Sequence, residues 1–305
     1  MKRAVSVSIG SSKRDKQVEV TILGEQVCLE RIGTDGDMQA AARLFAELDG
    51  QVDALGVGGA LLGLMVDERW YVMRSVRALT AHVNRTPVVD GTALKMTLER
   101  KAAAAVDAVL QDQLPTRTAF SMSGVDRYGL TRGFLDAGYE SVIGDLMFTL
   151  GIGYPIHSDK DLKRLAATLI PIVSHLPFSW LYPTGEAQEK RTPKWTKYFN
   201  WASVIAGDCH YIARYMPDDM TGKVIVTNTT TPEDRRLFKP TGIRHLFTTT
   251  PIYEGRSFGT NLLEAAIVAV LGWKQPVDYA KPGDYFRRID QVVNQLGLAP
   301  QYQEL

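Results

Sequence analysis

The sequence predicts an α/β protein in which a C-terminal Rossmann-like doubly wound parallel sheet follows an N-terminal mixed α/β domain. Three observations lead there. From residue 118 onward, short apolar runs alternate with helical patterns, the signature of parallel strands joined by right-handed crossovers. Earlier, Val18, Val20 and Ile22 alternate with Glu19 and Thr21, so the first sheet has a wet face and an antiparallel part. Residues 111–117, with Pro115, read as the linker between a domain over 1–114 and one over 115–305.

The first domain opens with strands over 4–10, 17–23 and 26–32, the last two joined at Leu23-Gly24-Glu25. Asp35-Gly36-Asp37 caps a helix over 38–48, which Asp49-Gly50 ends. Residues 52–57 form a strand apolar on both faces, followed by a strand pair over 64–73 and a helix over 75–83. Residues 87–91 form another buried strand. Leu94, Leu98, Ala102, Ala105, Val106 and Val109 keep helical spacing through a long helix over 92–110. In the second domain strands are expected over 118–123, 140–145, 202–207, 223–227 and 245–250. Helices are expected over 126–136, 210–215, 232–238, 258–271 and 282–296, with a helical insert at about 159–200.

Composition narrows the function. The 305 residues are 45% hydrophobic and 23% charged, which excludes wholesale disorder. Lys and Arg number 35 against 34 Asp and Glu, so no net field attracts nucleic acid or anionic lipid. The two cysteines, Cys28 and Cys209, make neither a disulfide framework nor a multi-cysteine zinc site and point to a reducing compartment. The apolar start breaks at once into Ser, Lys and Arg, and residues 165–181 contain Pro171, His175 and Pro177, so neither a leader nor a membrane span is expected. The reading is a cytoplasmic protein with a small-molecule substrate, no nucleic acid and no membrane partner; it admits a homodimer.

The strongest functional signal is Ser123-Gly124-Val125-Asp126-Arg127-Tyr128-Gly129, where a strand turns into a helix, with Asp145 twenty-one positions after Gly124 at the end of the next strand. In a dinucleotide site, glycine lets backbone amides approach the diphosphate, the helix start favours negative charge, and the acid takes two ribose hydroxyls. An acid rather than an arginine there favours NAD over NADP. The plainer account makes Asp126 a helix cap, Gly129 a packing residue and Asp145 a turn residue. Asn228 and Thr229, at a later strand end, join the cofactor set. Arg256, Ser257, Thr260 and Asn261 lead into the last core helix as substrate residues, although Arg256 also reads as a surface arginine. Lys95, one turn into a helix, is the candidate acid/base, with Asp90 its nearest partner and Asp126 and Asp208 as competitors.

Other chemistries fit less well. His82, His157, His175, His210 and His245 lack metal-ligand spacing, and neither G-x-S-x-G nor a Walker loop occurs. Aromatic and basic residues interleave over 180–201, but Glu186 and Glu189 dilute them, and a lid or oligomer contact is the blander account.

Several longer strings resemble a bacterial family carried as quinate 5-dehydrogenase, related in name to shikimate/quinate dehydrogenases. They are Ser8-Ile9-Gly10-Ser11-Ser12-Lys13-Arg14-Asp15, Glu30-Arg31-Ile32-Gly33-Thr34-Asp35-Gly36-Asp37, Val88-Val89-Asp90-Gly91, Leu181-Tyr182-Pro183-Thr184-Gly185-Glu186, Val204-Ile205-Ala206-Gly207-Asp208 and Arg256-Ser257-Phe258-Gly259-Thr260-Asn261. The resemblance implies a two-domain nucleotide-binding outline and an NAD(P)-dependent oxidoreductase for a small hydroxy acid or polyol of quinate/shikimate type. The sequence departs from shikimate/quinate dehydrogenases in its cofactor loop, its N-terminal serine motif and the string around Lys95. Two alternatives stand beside this reading. One is a phosphate-handling actin-like kinase using Ser8-Ile9-Gly10-Ser11-Ser12; the other is a non-catalytic nucleotide- or metabolite-binding protein.

Overall fold

The computed structural model describes residues 1–176, 191–253, 256–257, 259–274 and 276–305. The elements run β1 (Lys2–Ser8), β2 (Lys16–Ile22), β3 (Glu25–Gly33), α1 (Met38–Leu48), β4 (Ala54–Gly58), β5 (Gly63–Val66), β6 (Arg69–Val72), β7 (Val88–Val89), α2 (Thr92–Met96) and α3 (Ala102–Leu110). Then come β8 (Thr118–Ser121), α4 (Tyr128–Asp136), β9 (Glu140–Ile143), α5 (Asp145–Thr149), α6 (Asp159–Val173), α7 (Thr196–Trp201), β10 (Val204–Gly207), α8 (Cys209–Tyr215), β11 (Val224–Thr227) and α9 (Pro232–Phe238). The chain closes with β12 (His245–Thr248), β13 (Ile252–Tyr253), β14 (Arg256–Ser257), α10 (Thr260–Val270), α11 (Tyr285–Gln295) and β15 (Gln301–Glu304).

These elements form two compact units. Unit 1 takes Met1–Leu94, Leu169–Ala187 and Gly259–Gly297; unit 2 takes Lys95–Thr168, Gln188–Phe258 and Leu298–Leu305. The boundary expected at 114/115 therefore lies inside unit 2. The cause is packing: Ala102, Val106 and Leu110 of α3 bury their apolar stripe with Ala119, Leu130 and Phe134 of unit 2.

Unit 1 has a five-stranded sheet in the order β2-β3-β1-β4-β7. β2 runs antiparallel to β3, and the other pairings are parallel. Val5, Val7, Leu55 and Val57 meet Ala41 and Phe45 of α1, so the hydrophobic stripe of that helix covers one face. Asp37 holds the start of α1 by accepting from the amides of Gln39 and Ala40. α10 packs on β1 and β4, and its residues from Leu262 to Ala269 are all buried. The helix expected over 75–83 is only the 3-10 turn Arg77–Thr80.

Unit 2 has a six-stranded sheet in the order β15-β12-β11-β10-β8-β9, parallel except for β15. Starting from β8, the parallel strands lie 2-1-3-4-5, a doubly wound order whose switch point falls between β8 and β10. Alternation along each strand sends neighbours to opposite faces. Ala119, Ala206 and Val226 meet α3 and α4, whereas Phe120, Ile205 and Ile225 meet Phe199, Ile212 and Phe238. The long helix expected over 92–110 is broken into α2, the 3-10 turn Glu99–Lys101 and α3. Glycines of α4 press on this broken stretch. A Cβ on Gly129 would stand 1.9 Å from the Lys95 carbonyl oxygen, and one on Gly133 2.4 Å from that of Arg100.

Candidate functional site

In open α/β sheets, ligands sit outside the carboxyl ends of the strands at the switch point. In unit 2 those ends carry one connected polar network. Arg127, just after the turn that leaves β8, is 4% exposed. It donates from Nη1 to Glu99 Oε1 at 2.5 Å and from Nη2 to Asp208 Oδ2 at 3.2 Å. Asp208 follows β10, caps α8 by accepting from the His210 amide, and accepts from Asn228 Nδ2 at 2.9 Å. Asn228 follows β11, and its carbonyl accepts from Thr250 Oγ1 beyond β12. Beside this network, Lys95 Nζ meets Asp126 Oδ1 at 2.6 Å; the lysine side chain is buried and that of the aspartate partly exposed.

The electrostatics follow from burial against pairing. Burial pushes the Glu99 carboxyl above its ordinary range, against the opposing pull of Arg127 and Lys95. Burial also opposes charge on Asp208, but Arg127 and His210 outweigh it and bring the group down to about 2. Asp126 likewise ends below the usual carboxylate range, because Lys95 and Arg127 overcome its desolvation. Burial disfavours the Arg127 cation, yet Glu99, Asp126 and Asp208 hold it firmly protonated. The result is a part-buried lysine–aspartate dyad next to an arginine committed to two carboxylates. Such a dyad can take a proton from a hydroxyl and pass it toward solvent through the more open aspartate.

The glycine turn departs from expectation. The amides of Gly124 and Val125 donate to Asp145 Oδ2 and Oδ1, at 2.7 and 2.9 Å. Asp145 therefore faces inward onto the amides expected to hold a diphosphate, and its oxygens are not presented to a ribose. Burial lifts its carboxyl to about 6, against these two amide bonds. The space beside the turn is also filled. A Cβ on Gly124 would lie 2.5 Å from Ile143 Cγ2 and 3.1 Å from Leu162 Cδ2. Tyr128 donates to Asp159 at 2.6 Å, and Arg132 pairs with the same carboxylate at 3.0 Å, so the start of α6 is tied to α4. Gly129 is a packing residue against the Lys95 backbone. Ser123 contributes its carbonyl to the Arg127 amide, and Thr229 sits half-buried after Asn228.

The residues expected around the substrate divide between the units. Lys95 pairs with Asp126 rather than Asp90. Asp90, in unit 1, accepts from the amides of Leu62 and Thr92, which makes it a turn-holding residue. Thr260 begins α10 beside Gly91, and Asn261 Nδ2 donates to Ser6 Oγ at 2.5 Å, so both serve packing within unit 1. Arg256 and Ser257 lie on β14, paired with β13; their side chains, like residues 177–190 of the helical insert, lie outside the described residues. The loop read as an actin-like phosphate site is also occupied: Asp35 takes the Ser12 amide at 2.8 Å, and Ser8 Oγ takes that of Gly10.

Sequence reasoning missed Glu99 and a second buried carboxylate, Glu264 of α10. Glu264 accepts from Tyr279 and Tyr285 at 2.8 and 2.7 Å and from the Ala93 amide at 2.8 Å. Burial lifts it to about 7, against these hydrogen bonds. Glu99 had a usable signal, since it stands four residues after Lys95 in an otherwise apolar helical stripe. Among the described residues no cluster of His, Cys, Asp and Glu is arranged to hold a metal ion, and no helix is long and apolar enough to cross a membrane.

Fold and site together define an α/β protein whose second unit is a Rossmann-like sheet with a charged network at its switch point. The chain belongs to a family described as a domain of unknown function, DUF8754, whose model matches residues 93–305. A second domain of unknown function, DUF8753, matches residues 3–90. No curated protein matches the chain. Among solved structures it is similar to the malic enzyme of Entamoeba histolytica, at 10% identity and a TM-score of 0.39, over 98% of this chain and 64% of that one. It thus spans less than two thirds of that enzyme. It is also similar to the malic enzyme of Pyrococcus horikoshii Ot3, at 11% identity and a TM-score of 0.30, over 97% of this chain and 77% of that one. A Mycobacterium smegmatis protein in complex with beta-D-fucofuranose gives 11% identity and a TM-score of 0.34, over 100% and 99% of the two chains. Likenesses this distant carry no argument about activity.

Proposed function

We propose that the protein is an oxidoreductase acting on the CH–OH group of a small hydroxy acid or polyol of quinate or shikimate type, with a nicotinamide cofactor as hydride acceptor. The observation that carries this reading is the part-buried Lys95–Asp126 pair at 2.6 Å, beside the carboxyl ends of a doubly wound sheet. On this reading Lys95 is the acid/base for the substrate hydroxyl proton, and Asp126, its more open partner, links it to solvent. Beside the pair, Arg127 is held by Glu99 and Asp208, which keeps the surrounding charges balanced. The glycine turn does not fit a dinucleotide diphosphate while Asp145 occupies its amides, so only the proton chemistry is derived for these residues.

The closed turn favours a second reading, a metabolite-binding protein without catalysis. One experiment separates the two. The protein is incubated with NAD or NADP and a panel of quinate, shikimate and neutral polyols, and reduction of the nicotinamide is followed by absorbance. Reduction that disappears in Lys95→Met supports the oxidoreductase. Substrate-induced thermal stabilisation without reduction of either nicotinamide supports the binding protein and overturns the first reading.

A further inference from the structure

Two successive amides of the glycine turn point at one carboxylate, the spacing at which such a turn receives an anion. The occupant belongs to the protein itself. Near the two ends of the same turn, Ser121 Oγ and Arg127 Nε are buried and have no hydrogen-bond partner. Ser121 is 2% exposed and Arg127 4%, so these are donors withheld from water and left unused by the fold. The two amides of the turn are thus engaged by a side-chain carboxylate, and two buried donors in the stretch 121–127 have no partner.

We infer that Asp145 is a built-in competitor for this turn: its carboxylate stands where the diphosphate of a dinucleotide binds, and the turn accepts such a ligand only when Asp145 withdraws. The inference rests on the oxidoreductase reading for the identity of the ligand, and on geometry alone for the competition. If the closed arrangement dominates, the apparent affinity of the wild-type chain is reduced by the fraction of molecules in which Asp145 has left the amides. Leu162 and Ile143 flank the same space, so withdrawal also requires a shift at the start of α6.

The test compares wild type, Asp145→Asn and Asp145→Ala for binding of inorganic pyrophosphate and of NADH by calorimetry, with hydrogen exchange at the Gly124 and Val125 amides as a second readout. Asn keeps the shape and removes the charge, so it serves if the alanine variant fails to fold. The expected result is at least about tenfold tighter binding of both ligands by the variants, with the two amides protected in the variants only when ligand is present. Variants that gain pyrophosphate binding but not NADH binding uphold the competition and refute the nicotinamide reading. Wild type binding pyrophosphate as tightly as the variants overturns the inference and leaves that reading untouched. A folded Asp145→Asn protein that binds neither ligand overturns it as well.

Discussion

Replacing Arg127 by methionine tests whether the strand-end network is held by that one guanidinium. The change keeps much of the side-chain volume and removes two ion pairs, to Glu99 at 2.5 Å and Asp208 at 3.2 Å. Asp208 sits at about 2 against an ordinary 3.8, with Arg127 the chief favourable cause. That depression corresponds to about 2 kcal/mol at neutral pH, much of it lost in the variant. Glu99, with no exposed surface, keeps a hydrogen bond from Thr249 Oγ1 at 3.5 Å and the weaker pull of Lys95. Stranding a buried charge in this way costs about 3–5 kcal/mol in total. The sign with pH is definite. Without Arg127, the folded-state pKa of Glu99 rises further above its unfolded value, so the folded variant binds the extra proton and loses stability as pH rises. Urea unfolding at about pH 5.5 and about pH 8 should therefore give the larger loss at the higher pH, by up to about 1.4 kcal/mol per pH unit. Adding Glu99→Gln should restore about half of the loss. A cost below about 1 kcal/mol at both pH values, or one that shrinks as pH rises, would refute the reasoning.

Other substitutions probe other features. Lys95→Met should lower turnover of a competent substrate by about 10²–10⁴-fold while the far-ultraviolet circular dichroism stays native; unchanged turnover would remove the lysine from the chemistry. Gly129→Ala should cost at least about 2 kcal/mol in urea unfolding, because the added methyl meets a backbone carbonyl rather than a yielding side chain. Glu264 rests at about 7 against an ordinary 4.5, so its contribution is fully present below about pH 4.5 and is lost as pH rises through 7. Wild type should lose on the order of 3 kcal/mol across that window, and Glu264→Gln should flatten the profile; an unchanged slope in the variant would assign the effect elsewhere.

Much of this was legible in the sequence, and the remainder was hidden for identifiable reasons. Alternation in β2, the Asp37 cap of α1 and the strand–helix order after residue 118 are local signals, and local geometry honoured them. The twenty-one-residue spacing did bring Asp145 to Gly124, because a βαβ turn leaves little choice. Whether that carboxylate turns out to a ligand or in to the amides depends on side chains around it, such as Leu162 from a helix that no short pattern ties to the turn. Lys95 was visible as a candidate, and its partner came from the two competitors named beside Asp90. The Arg127 network joins positions 99, 127, 208 and 228, separations at which sequence pattern is silent. Residues 301–304 escaped notice because Gln301–Glu304 is a polar edge strand with only Tyr302 to mark it.

The interleaving of the two units bears on how the chain can be cut. The sheet built from residues 3–90 receives α10 from near the far end of the polypeptide, and that helix lies entirely within the stretch assigned to the other family. A fragment ending near residue 90 would leave the lining of β1 and β4 bare to water, an invitation to clump. Its complement would carry an apolar rod with nothing to lie against. Neither piece should be obtainable as a well-behaved solo protein, whereas co-expressing the two pieces should rescue both.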